Sequence, residues 1–218
     1  MRKSVETPVK KVALLSSMLS GINDEVKIAI DSVVNALKSQ GVEVTVLDDS
    51  VISLSRPAWN ILMCAELCNN VSRYDGVKYG YRAQNFSGLD ELYTLSRSES
   101  FGELLKTAII YGSETLSTEN YMKVYDKALR SRRVIVNALN DIFASYDAIL
   151  MPACSTFAYS EDEVNSNKEI AFEENFYTAP ASITGLPAVV VGGVQIVGRA
   201  FSEMALLDLA KTCEKEGK

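Results

Sequence analysis

The 218-residue chain contains no histidine. That absence removes Ser-His-Asp and Cys-His nucleophilic catalysis, imidazole general-base chemistry and most zinc sites, all of which need a ring nitrogen that titrates or ligates near neutral pH. Cysteine is scarce: the four are Cys64, Cys68, Cys154 and Cys213. Cys64 and Cys68 would share one helix face, but no Cys-x-x-Cys pair occurs, so free thiols in a reducing cytoplasm are the expectation. No apolar run approaches the roughly 20 residues of a membrane span. Residues 1–11 are polar and lack the apolar centre of a signal peptide, so neither membrane association nor export is expected. Positive charge is in deficit, with 22 Lys and Arg against 28 Asp and Glu and a net charge of −6. Such a surface repels phosphate, and direct nucleic-acid binding is not expected. Arg130, Arg132 and Arg133 recur at helical spacing and read as a solvated helix face. There is no metal-ligand spacing and no nucleophile elbow. Gly192-Gly193 lacks the Lys-Ser/Thr of a phosphate loop. Glu161, Asp162 and Glu163 lie in a polar run where solvation is the simpler reading.

What is present is the pattern of an α/β protein, long enough for one large domain. Residues 12–16 (VALLS) suit a buried strand. Asn23-Asp24-Glu25 reads as a helix start, followed by Ile28, Val33, Val34 and Leu37 at helical spacing up to Gly41. Residues 42–47 alternate like a half-exposed strand, and this β-α-β opening predicts a parallel pair. The middle reads as mostly helical, over 58–71, 100–111 and 118–143, the last opened by a Ser117/Thr118 cap. Residues 73–81 read as a Tyr- and Gly-rich loop. Residues 148–151 return to a strand, and 159–175 read as a polar surface loop. Residues 188–191 and 194–197 form a hairpin across Gly192-Gly193, and 201–214 a closing amphipathic helix. The predicted architecture is a mixed sheet flanked by helices, with a helical insertion in the middle.

Four stretches are distinctive: RYDGVKYGYR at 73–82, LDELYTLSRSESFG at 89–102, YDAILMPA at 146–153 and TGLP at 184–187. In this order and spacing they resemble the C-terminal half of the amidase-signature family, in the branch formed by the A subunits of glutamyl-tRNA(Gln) amidotransferases. The likeness runs from Lys11 to about Leu209. It divides the chain into a polar lead-in, 1–10, and a C-terminal amidase half, 11–218. A plainer role for the four stretches is packing alone.

The resemblance implies a partial amidase-signature fold and an enzyme that releases ammonia from glutamine, which the B subunit then uses with ATP to form Gln-tRNA(Gln). ATP and Mg belong to that partner, and no cofactor is implied for this chain. The family's nucleophile is a serine activated by a second serine and a lysine, which needs no histidine. Those residues lie in its N-terminal half, and nothing like GGSSGGS occurs here. No catalytic residue is therefore implied in this chain, and inactivity on its own is expected. The C-terminal half supplies glutamine contacts: a Tyr where Trp59 stands, a carboxylate-binding Arg where Ala108 stands, and an amine-holding Asp of an NDI.T segment where Asn175 stands. All three have changed, and Arg to Ala removes a bidentate clamp. VVVGGVQIVG also runs together two strands that the family separates by a longer loop. The implied partners are the B and C subunits of the amidotransferase or an N-terminal amidase half, with self-association as a further expectation. The competing readings are a stand-alone, non-catalytic binding or assembly module, and a pocket turned to another small ligand with Trp59 as an aromatic wall.

Overall fold

The computed structural model describes residues 8–216, so most of the expected lead-in, residues 1–7, lies outside the described residues. The chain divides into two compact units, one formed by residues 1–59 with 131–218 and the other by 60–130.

The larger unit carries a five-stranded mixed sheet in the order β2-β1-β3-β5-β4. Strand β1 (Lys11–Leu15) leads through a short turn to helix α1 (Asp24–Ser39), then to β2 (Glu43–Leu47). Asn23 caps α1 as its sequence predicts, its Oδ1 accepting the Val26 N–H at 2.9 Å, with Asp24 and Glu25 at the positive end of the dipole. Gly41 takes the left-handed backbone (φ +78°) that lets the chain reverse into β2. β1 and β2 pair in parallel, as expected.

Strand β3 (Ala148–Pro152) lies on the other side of β1, also parallel. The YDAILMPA stretch has a structural explanation here. Asp147 Oδ2 accepts the Lys10 and Lys11 amides at 2.8 and 3.0 Å, and its own N–H donates to the Lys11 carbonyl at 2.8 Å. This fixes the register of β3 against β1. The hairpin of β4 (Ala188–Val191) and β5 (Val194–Gly198) completes the sheet, β5 pairing antiparallel with β3. Gly192 and Gly193 both have positive φ, +53° and +78°, which matches the twist of a two-residue hairpin turn.

Val12, Leu14, Ala148, Leu150, Val194 and Ile196 turn to one face and form a core with Val26, Ile30, Val33 and Leu37 of α1 and Leu206 and Leu209 of α9 (Glu203–Glu216). Burial of each large aliphatic side chain contributes about 1.5–3 kcal/mol. Period-two alternation sends Ala13, Leu15, Ile149 and Met151 to the opposite face, where they are buried too.

Several expected boundaries are corrected. Helix α2 (Ser55–Val71) starts three residues before Ala58, because Pro57 is tolerated in a first helical turn. The 118–143 helix starts later and ends later than expected. A π turn over Tyr121–Tyr125 precedes α5 (Asp126–Ser145), and neither Ser117 nor Thr118 caps with its side chain; the Ser117 carbonyl accepts the Tyr121 N–H instead. The polar 159–175 segment is not a plain loop. It holds α6 (Glu161–Ser166) and α7 (Ile170–Glu173), and a capping box between Ser160 and Glu163 starts the first. Helix α8 (Asn175–Thr184) is masked in the sequence by Pro180. Its end explains TGLP: Thr184 Oγ1 donates to the Pro180 carbonyl, Gly185 turns left-handed (φ +72°), and Pro187 prevents continuation. The closing helix begins at Glu203, not Phe201, which sits at φ +69°. Arg132 is more than solvated surface, since its Nε donates to the Ile183 carbonyl at 2.6 Å in the last turn of α8. Arg130 pairs with Asp126 at 2.7 Å across one turn.

The smaller unit is helical. It contains most of α2, then α3 (Leu89–Ser100) and α4 (Glu103–Thr115). The 100–111 helix is corrected to start at Glu103, because Phe101 is extended. Helix α3 gives little signal in sequence, because its Ser- and Thr-rich stretch has weak helix propensity. The two stretches most distinctive of the resemblance lock onto each other here. Arg97 Nη1 donates to the Val71 and Tyr74 carbonyls at 2.7 and 3.0 Å, and the Ala83 N–H donates to the buried Ser96 hydroxyl at 3.0 Å. The Tyr74 hydroxyl accepts the Tyr81 amide at 2.6 Å and its ring packs edge-on against Phe101. Asp75 Oδ1 closes the turn on the Val77 and Lys78 amides. RYDGVKYGYR and SRSESFG therefore work as one packing device.

Gly112 sits where α4 meets α2, and a Cβ built there would overlap the Cys64 carbonyl oxygen. Helix propensity alone gives Gly112→Ala a gain of about 1 kcal/mol. Overpacking against backbone costs about 1–3 kcal/mol. Gly112→Ala is expected to lower the urea midpoint followed by circular dichroism; a raised midpoint contradicts this packing.

Candidate functional site

The chain leaves β1 towards β2 on one side and returns through β3 on the other, which makes the carboxyl ends of β1 and β3 a topological switch point. Loops leaving such strand ends diverge and open a crevice. Here the two loops are tied together: the Asn23 N–H donates to the Ser155 carbonyl at 2.9 Å, and Asn23 Nδ2 donates to Thr156 Oγ1 at 3.1 Å. Gly21, at φ +80°, brings the first loop close to Tyr177, whose hydroxyl donates to the Ser20 carbonyl at 2.8 Å.

Glu174, just before α8, organises the second loop. One carboxylate oxygen accepts the Ser155 N–H at 3.0 Å and the other accepts the Tyr159 hydroxyl at 2.8 Å. The Ser155 hydroxyl lies 2.7 Å from the Tyr159 oxygen. Because Tyr159 spends its one proton on Glu174, Ser155 is the donor in that contact. Burial and the neighbouring Glu174 charge raise the Tyr159 phenol, against a lowering by the Ser155 bond. The three groups form one donor chain, from Ser155 to Tyr159 to Glu174, which holds the loop in place. Tyr177 is pushed up to about 12, first by burial and then by Glu174. Gln195, buried on β5, donates to the Tyr177 carbonyl at 3.0 Å and holds α8 on the sheet. Arg56 enters the same neighbourhood from the first turn of α2, its guanidinium 5.9 Å from the Phe176 ring centroid.

Of the three positions singled out from sequence, Trp59 and Asn175 belong to the larger unit and Ala108 to the smaller. Asn175 is half-buried at the start of α8, adjacent to the Glu174 network. Trp59 is half-buried on α2, three residues beyond Arg56. Ala108 is buried on α4. Sequence reasoning misses Arg56, Ser155, Tyr159, Glu174 and Tyr177. Among the described residues no group of three or more Cys, Asp or Glu side chains could hold a metal ion, and no helix is long and apolar enough to cross a membrane.

A mixed sheet flanked by helices, its switch-point loops tied by a half-buried polar network, defines an α/β protein. Its family is settled by comparison: the family model described as Amidase matches residues 3–207, and the chain belongs to the amidase family. It is similar to the A subunit of glutamyl-tRNA(Gln) amidotransferase from Clostridium kluyveri, 33% identical over 207 residues, covering 91% of this chain and 42% of the relative. The corresponding protein of Agathobacter rectalis is 36% identical over 205 residues, covering 89% and 41%. Among solved structures, the A subunit of the Thermotoga maritima amidotransferase matches with a TM-score of 0.68 and 25% identity, over 95% of this chain and 42% of that one. An allophanate hydrolase from Kluyveromyces lactis matches in fold, with a TM-score of 0.73 at 20% identity, over 96% and 32%. The chain thus spans less than half the length of the curated relatives it matches.

Cys154 lies in the loop held by Glu174, and its thiol is raised by burial first and the Glu174 charge second. Removing a negative charge favours the thiolate. In Glu174→Gln the alkylation-against-pH profile of Cys154, followed by peptide mass spectrometry, is expected to move to lower pH; an unchanged or higher profile contradicts the proximity.

Proposed function

We propose that these 218 residues act as the C-terminal half of the amidase component of a glutamyl-tRNA(Gln) amidotransferase, shaping the site in which glutamine is hydrolysed without supplying the nucleophile. The observation that carries this reading is the pairing of coverage: about nine-tenths of this chain matches about two-fifths of each amidotransferase relative. The Ser-rich segment implied for the family is absent from these residues. On this reading the chain alone does not hydrolyse amides, and Trp59, Ala108 and Asn175 mark altered glutamine contacts. On this reading ATP and Mg belong to a partner subunit, and the expected partners are the B and C subunits of the amidotransferase or an N-terminal amidase half.

The sheet supports a need for a neighbour. Its two edges, β2 and β4, expose Val46 (61%) and Val190 (57%). Unpaired edges with exposed aliphatic residues invite continuation of the sheet or self-association.

Ammonia release from L-glutamine by the purified chain is expected to equal that of buffer. Mixing with a separately expressed N-terminal half of the Clostridium kluyveri relative is expected to give release that neither component shows alone. Release by the chain alone contradicts the reading. A mixture that associates but stays inactive favours a non-catalytic assembly module.

A further inference from the structure

Antiparallel pairing turns the backbone groups of every second residue towards the neighbouring strand and those of the residues between them away from it. The Gly198 N–H donates to the Pro187 carbonyl at 3.0 Å, and β4 continues that register, with Ala188 opposite Val197, Val189 opposite Ile196, Val190 opposite Gln195 and Val191 opposite Val194. Val189 and Val191 therefore bond inward to β5. The N–H and C=O groups of Ala188 and Val190 point out of the sheet. Strand β4 is the last in the sheet, so among the described residues no strand takes those groups. An edge is ordinarily guarded by charge, proline or a bulge. The β2 edge has Glu43, paired with Lys11 at 3.6 Å, and runs on into Asp48 and Asp49. Within β4 nothing of the kind occurs. Residues 175–198 contain no Asp, Glu, Lys or Arg, the register of β4 on β5 is unbroken, and Val190 is exposed.

We infer that the outer edge of β4 is the contact through which two copies of this chain pair, β4 against β4, joining two five-stranded sheets into one. The outward pattern selects the occupant. Antiparallel pairing about a two-fold axis at Val189 sets Ala188 of each copy opposite Val190 of the other, so every outward N–H and C=O of the strand finds a partner. The two Val189 residues then face each other as a close, non-hydrogen-bonded pair. Charge selects the same occupant. A net charge of −6 makes two copies repel over most of their surface, but this edge carries none of it. A charged strand would find nothing here to pair with, whereas a second uncharged β4 meets its own likeness. Val189 and Val191 pack on the core face of the sheet and Val190 lies on the other, so the pairing gives apolar side chains a new neighbour on both faces. The inference goes beyond the amidase reading and does not depend on it.

Light scattering on the purified 218-residue chain tests this, and it is read apart from ammonia release. The wild-type chain is expected to show twice the single-chain mass of 23.9 kDa at high protein concentration. Val190→Pro removes an outward N–H and no bond to β5, so a proline is tolerated there. That variant is expected to show the single-chain mass with an unchanged circular dichroism spectrum. Val46→Lys, on the β2 edge, is expected to leave the pair intact. A second variant reads the register without weakening the edge. Val189→Cys is expected to form a disulfide between copies under mild oxidation, because non-hydrogen-bonded partners stand about 4.5 Å apart at Cα, within disulfide reach. Mass spectrometry of the linked peptides identifies it. A single-chain mass for the wild type at every concentration overturns the inference, as does a species of more than two copies. A pair that survives in folded Val190→Pro, or that Val46→Lys dissolves, places the contact elsewhere and overturns it too. Should Val190→Pro fail to fold, the absence of a Val189→Cys link between copies is the overturning result.

Discussion

Strand β3 is paired on both edges, parallel to β1 and antiparallel to β5, and all five of its residues are buried. A strand in that position has no solvent to satisfy its amides, so every backbone group depends on its neighbours. It joins an N-terminal β-α-β unit to a C-terminal hairpin, although about a hundred residues separate β2 from β3 in sequence. Asp147 supplies the register by holding the amides at the start of β1. Once β3 lies beside β1, the switch point is created and the loop beginning at Ala153 is delivered to the carboxyl edge of the sheet. Placement of the network around Glu174 follows from that single pairing.

The network itself is more scaffold than chemistry. Glu174 orients the Ser155 amide and the Tyr159 hydroxyl, one bond to each carboxylate oxygen. On the proposed reading the chain works beside another half, and the alternative is a binding module. The exposed sheet edges and the partial coverage of its relatives agree with the first.

Much of the sheet is legible in the sequence because its signals are local. Short apolar runs, the Asn23 cap and the paired glycines of the hairpin each act over a few residues. The helices that sequence patterns miss or misplace are those whose stability comes from elsewhere. Helix α3 has Ser96, Arg97 and Ser100 in bonds to backbone, which no propensity scale anticipates. Helix α8 contains Pro180 and is held by Gln195 and Arg132. The sequence points to Trp59, Ala108 and Asn175 through the resemblance alone, and it gives no local signal for the network around Glu174. Asn23 and Ser155 stand more than a hundred residues apart in the chain, and only the fold brings their backbones together.

The central claim is that the Glu174 carboxylate fixes the loop leaving β3 while the sheet fixes β3 itself. Amide hydrogen exchange resolved by NMR tests it at one position. The Ser155 N–H is expected to exchange slowly in the native chain and much faster in Glu174→Gln, with the Ile149 and Leu150 amides unchanged. Fast exchange at Ser155 in the native chain, or loosening of β3 together with Ser155 in the variant, would contradict the account.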